Sequence, residues 1–175
     1  MNGVDDADGC PDNVPDRDRD GIPDDRDRCP NEPETFNNTQ DDDGCPENTA
    51  ALATLENGQV VLHEAVNFAQ GSDRIVGGAS FRVLDAVVAL LNFHPEIAAV
   101  EIQAHTDDRG DARENRAVST RRATAVKSYL VDHGIRADRL STMGVGPDRP
   151  LTSNDSAEGR ARNRRIEMHV VGARQ

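Results

Sequence analysis

The chain has no tryptophan, one tyrosine and four phenylalanines among 175 residues. A core must therefore be assembled from Val, Leu, Ile and Ala rather than from large aromatic anchors. No apolar run approaches the roughly 20 residues that a membrane-spanning helix needs. No signal peptide is legible either, because Met1 leads directly into acidic residues. The basic stripe that phosphate binding requires is also missing, which argues against nucleic acid as a partner. Cysteines number three, at positions 10, 29 and 45.

Enzyme signatures are absent as well. The five histidines are His63, His94, His105, His133 and His169, and none stands in a zinc-binding spacing. There is no nucleophile elbow, no Walker loop and no dinucleotide-binding glycine pattern. A cell-wall hydrolase would need a metal or nucleophile constellation, and none is legible. His105 and Asp107 fall on one side of a strand by alternation, which admits acid–base work. A structural strand-end histidine accounts for the same pattern.

What is present is unevenly distributed. Residues 1–49 hold 13 Asp and 3 Glu against 4 Arg, a net of −12, which is the net charge of the whole chain. The remainder is neutral, with arginines clustered at 160–165 that suit either a local anion site or ordinary pairing. We place a boundary there: an acidic segment at 1–49, a linker at 50–57 and a globular domain at 58–175. A dense acidic block repels itself, so it either stays disordered or binds cations.

The acidic segment repeats internally. Residues 6–13 (DADGCPDN) recur at 41–48 (DDDGCPEN). Between them, Asp16 to Cys29 reads DxDxDGxxDxxDxC without a gap. Alternating carboxylates on a tight loop converge on one point, and the central glycine permits the turn. Ca²⁺ takes 6–8 oxygens, and Asp16, Asp18, Asp20, Asp24 and Asp27 are the expected ligands. Binding and folding would be coupled, because the ion neutralises the repulsion that unfolds the segment. The loop is not an EF-hand, since Asp27 stands where a bidentate Glu would be. In an oxidising compartment three cysteines give one disulfide and one odd thiol.

From about Gly58 apolar periodicity appears. Gln59–His63 and Ala65–Phe68 read as extended. Residues 80–93 place Phe81, Leu84, Val87, Val88 and Leu91 at helical spacing, and Pro95 ends the run. Ala99–Ala104 alternates as a strand. Glu114–His133 carries a helical stripe through Val118, Ala125, Val126, Tyr129 and Leu130, closed by Gly134. Leu140–Val145, Ala157–Asn163 and Arg165–Val171 read as strand, short helix and strand. The order βαβαβ(α)β predicts an α/β (α+β) sandwich with helices against a mostly four-stranded mixed sheet.

One stretch carries chemistry. A strand ends at His105–Thr106, a loop with Gly110 follows, and a helix presents Asn115, Ser119 and Arg122. Asn115 and Arg122 are seven apart and share a helical face, and Asp107 at the strand end can face it. This is either a structural ion pair or a site for a zwitterion. In the second case Asp107 takes an ammonium and Arg122 grips a carboxylate in a charge-assisted fork, with backbone N–H groups of the 108–111 loop completing the carboxylate site.

Residues 104–126, AHTDDRGDARENRAVSTRRATAV, resemble the signature GHTDxxGxxxxNxxLSxxRAxxV of the OmpA-like peptidoglycan-binding family. The likeness continues through Gly134-Ile135, Asp138-Arg139-Leu140, Gly144-Val145-Gly146, Pro150, Ser153-Asn154 and the run EGRARNRRIE at 158–167, covering about residues 58–171. Ala104 and Val118 depart from the pattern, and neither touches the charged pair. The resemblance implies that Asp107 and Arg122 hold the amino and carboxylate end of diaminopimelate in the peptidoglycan stem peptide, with Thr106 and Asn115 in support and Arg165 helping the site or bracing the loop. It also implies a place at the periplasmic face of the outer membrane, as a piece of a longer exported protein.

Residues 5–48 likewise resemble thrombospondin type 3 repeats, through the acidic loop, Cys29-Pro30, the run NNTQD at 37–41 and Cys45. Such repeats wrap calcium and act as stiff spacers. The likeness implies a Cys29–Cys45 bond with Cys10 pairing upstream, and Cys10–Cys29 is the alternative. Two functions follow: a wall anchor with a calcium-stiffened spacer, or a calcium-dependent structural or adhesive spacer whose end domain is scaffold. A stator-like motor anchor uses the same fold but needs an upstream transmembrane helix.

Overall fold

The computed structural model describes residues 15–37, 40–47 and 50–172. The first repeat copy and Cys10 lie outside them, as do Asn38, Thr39 and Asn48. The order is β1 (Ala53–Glu56), β2 (Gln59–Leu62), β3 (Asn67–Phe68), β4 (Ile75–Val76), α1 (Gly78–Phe93), β5 (Val100–His105), α2 (Ala112–Asp132), a 3₁₀ turn (Ala137–Arg139), β6 (Leu140–Gly146), α3 (Ala157–Asn163) and β7 (Ile166–Val170).

The main sheet runs β1-β2-β7-β5-β6, and β3 and β4 form a separate hairpin. Only β5 and β6 pair in parallel, joined by the α2 crossover, so the sheet is mixed. It has five strands rather than the four expected. The extra one, β1, lies in residues 50–57, which the sequence reading left as a linker. Asn57 (φ 49°) and Gly58 (φ 77°) form the two-residue turn joining β1 to β2, the left-handed pair that matches the twist of a hairpin.

Both long helices bury one stripe. On α1 it is Ser80, Val83, Leu84, Ala86, Val87, Leu90 and Leu91. On α2 it is Ser119, Ala123, Val126 and Leu130. The expected stripes were rotated. Phe81 is exposed, and Val118, Ala125 and Tyr129 flank the buried face of α2. Small residues, Ser80 and Ala86 on α1 and Ser119 and Ala123 on α2, share the buried faces with Leu and Val. Inward positions of the central strands, Val100, Ile102, Ala104 and Met168, complete the core.

Local signals set the ends. Asp111 caps α2 by accepting from Arg113 N (2.9 Å) and Glu114 N (3.0 Å). Ser156 caps α3 through Gly159 N (2.9 Å). Gly134 (φ 102°) closes α2, with Ile135 N donating back to Leu130 O. Fully buried Asn163 accepts from Leu151 N and Thr152 N and donates to Thr152 O and Asn154 Oδ1, pinning the loop before α3.

The acidic segment is not separate from this core. Phe36 and Ile22 are buried. The Phe36 ring lies 5.7 Å from that of Phe93, and Leu52 N donates to Phe36 O. Gly21 (φ 92°) abuts the Phe93 carbonyl so closely that any Cβ would collide with it. Phe36 and the backbone at Gly21 thus fix the segment to the C-terminal end of α1, although no periodicity announces them. Cys29 and Cys45 are disulfide-bonded, the pair that the repeat resemblance implies. Phe36→Ala is expected to cost about 3–5 kcal/mol, read as a lowered urea midpoint.

Candidate functional site

A cleft of about 790 Å³ opens where the end of β5, the start of α2, the β3–β4 hairpin and the α3–β7 junction meet. All five residues expected at a ligand site line it: Thr106, Asp107, Asn115, Arg122 and Arg165. Their partners assign them different roles.

Asp107 does not pair with Arg122. Arg164 Nη1 donates to its Oδ2 at 2.6 Å, and Arg109 N to its Oδ1 at 3.2 Å. The Asp107 carboxylate is 14% exposed and Arg164 is 47% exposed, so this pair sits at the cleft mouth. Arg122 makes no ion pair within 4.0 Å among the described residues. Its Nε donates to Ser72 O (3.0 Å), and its guanidinium lies 5.0 Å above the Phe68 ring. Burial, followed by the nearby Arg164 charge, lowers its pKa and outweighs the attraction of Asp107 and Asp73. The guanidinium is a partly desolvated cation with no direct ion pair among the described residues, and Asp107 and Asp73 act on it only from a distance.

Asn115 lines the cleft and also braces its loop, since its Nδ2 donates to Arg109 O at 2.9 Å. Arg165 is held by Glu167 (2.6 Å) and reaches Arg149 O (3.3 Å), so it braces the strand start. Thr106 N donates to Gly146 O, while its buried Oγ1 has no protein partner. His105 Nε2 stands 3.5 Å from Glu167 Oε2, and burial, then Arg165, lowers its pKa. It is therefore a neutral packed imidazole at neutral pH.

Sequence reasoning missed Arg164 and Phe68. Arg164 lies in the run Asn163-Arg164-Arg165, where alternation sends adjacent side chains to opposite sides. One arginine therefore turns to Glu167, two residues on, and the other to the loop.

In the acidic segment, Asp16, Asp18 and Asp20 bring carboxylate oxygens within 4.8 Å of one another. Asp18 Oδ2 and Asp27 Oδ2 are buried without hydrogen-bond partners among the described residues. Burial raises the pKa of Asp18 and Asp20, and Asp27 adds to this in both cases. Asp24 departs from the expected set, because Arg17 pairs with it at 3.0 Å. A second cluster that the spacing did not reveal joins Glu34, Asp43 and Glu47. Such convergent oxygens suit a hard cation.

Burial, with Glu47 and Asp41 nearby, pushes Glu34 up to about 7. A carboxyl raised in the folded state binds its proton more tightly when folded. Its stabilising share is complete below about 4.5 and is lost as pH rises through about 7. In chelator, the urea midpoint should therefore fall between about pH 5 and pH 8, and added Ca²⁺ should flatten that slope.

The sequence profile of the OmpA family matches residues 67–164, more than half of the chain. The chain belongs to the OmpA family. It is 49% identical over 71 residues to Outer membrane protein A of Bordetella avium, covering 41% of this chain and 37% of that protein. To the peptidoglycan-binding protein ArfA of Mycobacterium tuberculosis it is 35% identical over 116 residues, or 62% of this chain and 35% of that protein. It thus spans little more than a third of either relative. Among solved structures, the cell wall anchor of the T6SS from Pseudomonas aeruginosa superposes with a TM-score of 0.53 at 32% identity, over 61% of this chain and 75% of that one.

Proposed function

We propose that this OmpA-family domain binds peptidoglycan non-covalently through the diaminopimelate of the stem peptide and so tethers an outer-membrane protein to the cell wall from the periplasmic side. The observation that carries the reading is Arg122, a half-buried cation with no direct ion pair among the described residues. A desolvated charge is costly until an anion pairs with it. With Nε committed to Ser72 O, the two Nη groups remain for a carboxylate in a forked geometry. Asp107 takes the ammonium of the same zwitterion, sharing its carboxylate with Arg164. The orphan hydroxyl of Thr106 gives a further polar contact. Arg122 and Arg164 against Asp107 leave the cleft net positive, which suits a stem peptide with more carboxylates than amines. The names of ArfA and of the T6SS anchor support wall binding for this fold.

Calcium at Asp16, Asp18, Asp20 and Asp27 belongs to the same proposal, in the manner of a thrombospondin type 3 spacer. The orphan oxygens of Asp18 and Asp27 support it, and Asp24 contributes only by leaving Arg17. The ion would neutralise the cluster and hold the segment rigid.

The second reading, a calcium-dependent structural or adhesive spacer with a scaffold end domain, draws on the Asp107–Arg164 pair, which already satisfies the acid. Calorimetric titration with a diaminopimelate-containing stem peptide, with and without Ca²⁺, separates the two. The anchor reading expects heat of binding in both conditions, and silence in both would leave the spacer alone.

A further inference from the structure

We propose that the β3–β4 hairpin is the positioning element of the cleft, with Phe68 and the Ser72 carbonyl together fixing the plane of the Arg122 guanidinium. This rests on the reading that Arg122 grips a carboxylate. Two contacts to the hairpin define that plane. The Phe68 ring supports the guanidinium carbon from 5.0 Å, and Ser72 O accepts from Nε at 3.0 Å. One contact sets the height of the group and the other its rotation about the ring normal. What remains is one edge carrying Nη1 and Nη2, the edge a carboxylate pairs with in parallel hydrogen bonds.

The hairpin is built to hold this position. Phe68 pairs with Ile75, Ala69 N donates to Arg74 O, and Ser72 N donates to Ala69 O. Ser80 of α1 ties both strands to the helix, accepting from Asn67 N (2.9 Å) and donating to Val76 O (2.7 Å). The guanidinium is thus referenced to α1 through the hairpin and to α2 through its own backbone. An arginine side chain has much rotamer freedom to lose, and fixing it beforehand removes that cost from the binding step. The chain has few aromatics, and one of them is used here.

The test is a pair of double-mutant cycles read by calorimetry with the stem peptide, below the melting temperature of every variant. Phe68→Leu keeps an apolar side chain but removes the π face, and should weaken binding about five- to tenfold. Phe68→Tyr should restore near wild-type affinity. In an Arg122→Ala background Phe68→Leu should cost nothing more, whereas in an Asp107→Ala background its full loss should persist. A loss present in both backgrounds, or no loss at all, overturns the proposal. A wild-type chain that gives no heat overturns the binding reading instead. The positioning claim is then judged by NMR on the Arg122 Nε–H, which should be ring-shifted and slow to exchange in wild type and lose both properties in Phe68→Leu. Unchanged signals there overturn it independently.

Discussion

Arg122→Ala is expected to weaken binding of a diaminopimelate-bearing stem peptide by about a hundredfold or more, while leaving the thermal midpoint within a few degrees of wild type. Truncating one partner of a desolvated charge pair costs about 2–5 kcal/mol, and each 1.4 kcal/mol is roughly tenfold in affinity. Stability should hardly suffer, because in the free protein this guanidinium makes one hydrogen bond to a carbonyl and one ring contact and no ion pair among the described residues. Asp107→Ala should cost less affinity, since Asp107 already shares its charge with Arg164. Equal affinity for wild type and Arg122→Ala would place the ligand elsewhere.

Gly144→Ala is expected to produce a large loss of stability from a single methyl group. A Cβ at this position would lie 2.5 Å from Thr120 N and 2.7 Å from Thr120 Cα. Both are backbone atoms of α2, which cannot swing aside as a side-chain tip can. Helix and strand must separate, and α2 against β6 is an extensive packing in this fold. Overpacking of that kind costs about 3 kcal/mol, or about 10 °C in a chain of this size. The damage should reach the cleft as well, since Thr106 N is held by Gly146 O at the end of the same strand. Differential scanning calorimetry of the two proteins checks it, and an unchanged midpoint would contradict the close approach.

The globular part was legible wherever one face of an element is buried and the other wet. Residues 157–163 were read with the observed ends, because Ser156 and Asn163 mark them chemically. The helices were placed but their stripes were rotated, since hydrophobicity favours Phe81 and Tyr129 where packing at close range favours Ser119 and Ala123. The strand β1 was missed although Asn57-Gly58 announces a hairpin; the composition boundary drew the eye to a linker. The hairpin β3–β4 has only two residues per strand, too few for any period. At the cleft, the residues of one contiguous stretch could be placed from spacing. Arg164 and Phe68 could not, because their contacts join positions 57 and 54 residues away in the chain, and only the fold brings those together. Ile22 and Phe36 escaped for a different reason: two isolated apolar residues in an acidic segment make no pattern, yet each finds a pocket.

The fixing of Phe36 and Gly21 against Phe93 has a mechanical meaning. The acidic segment joins α1 at its last turn, while the hairpin that holds Arg122 is tied to the first turn of the same helix by Ser80. At 1.5 Å per residue those two joints, at Ser80 and Phe93, are about 20 Å apart. A pull arriving from upstream would enter the domain at one end of α1 and be resisted by ligand at the other. The helix then acts as a tie carrying load along its axis, with the small apolar joint at Phe36 sharing that load with the covalent path into β1.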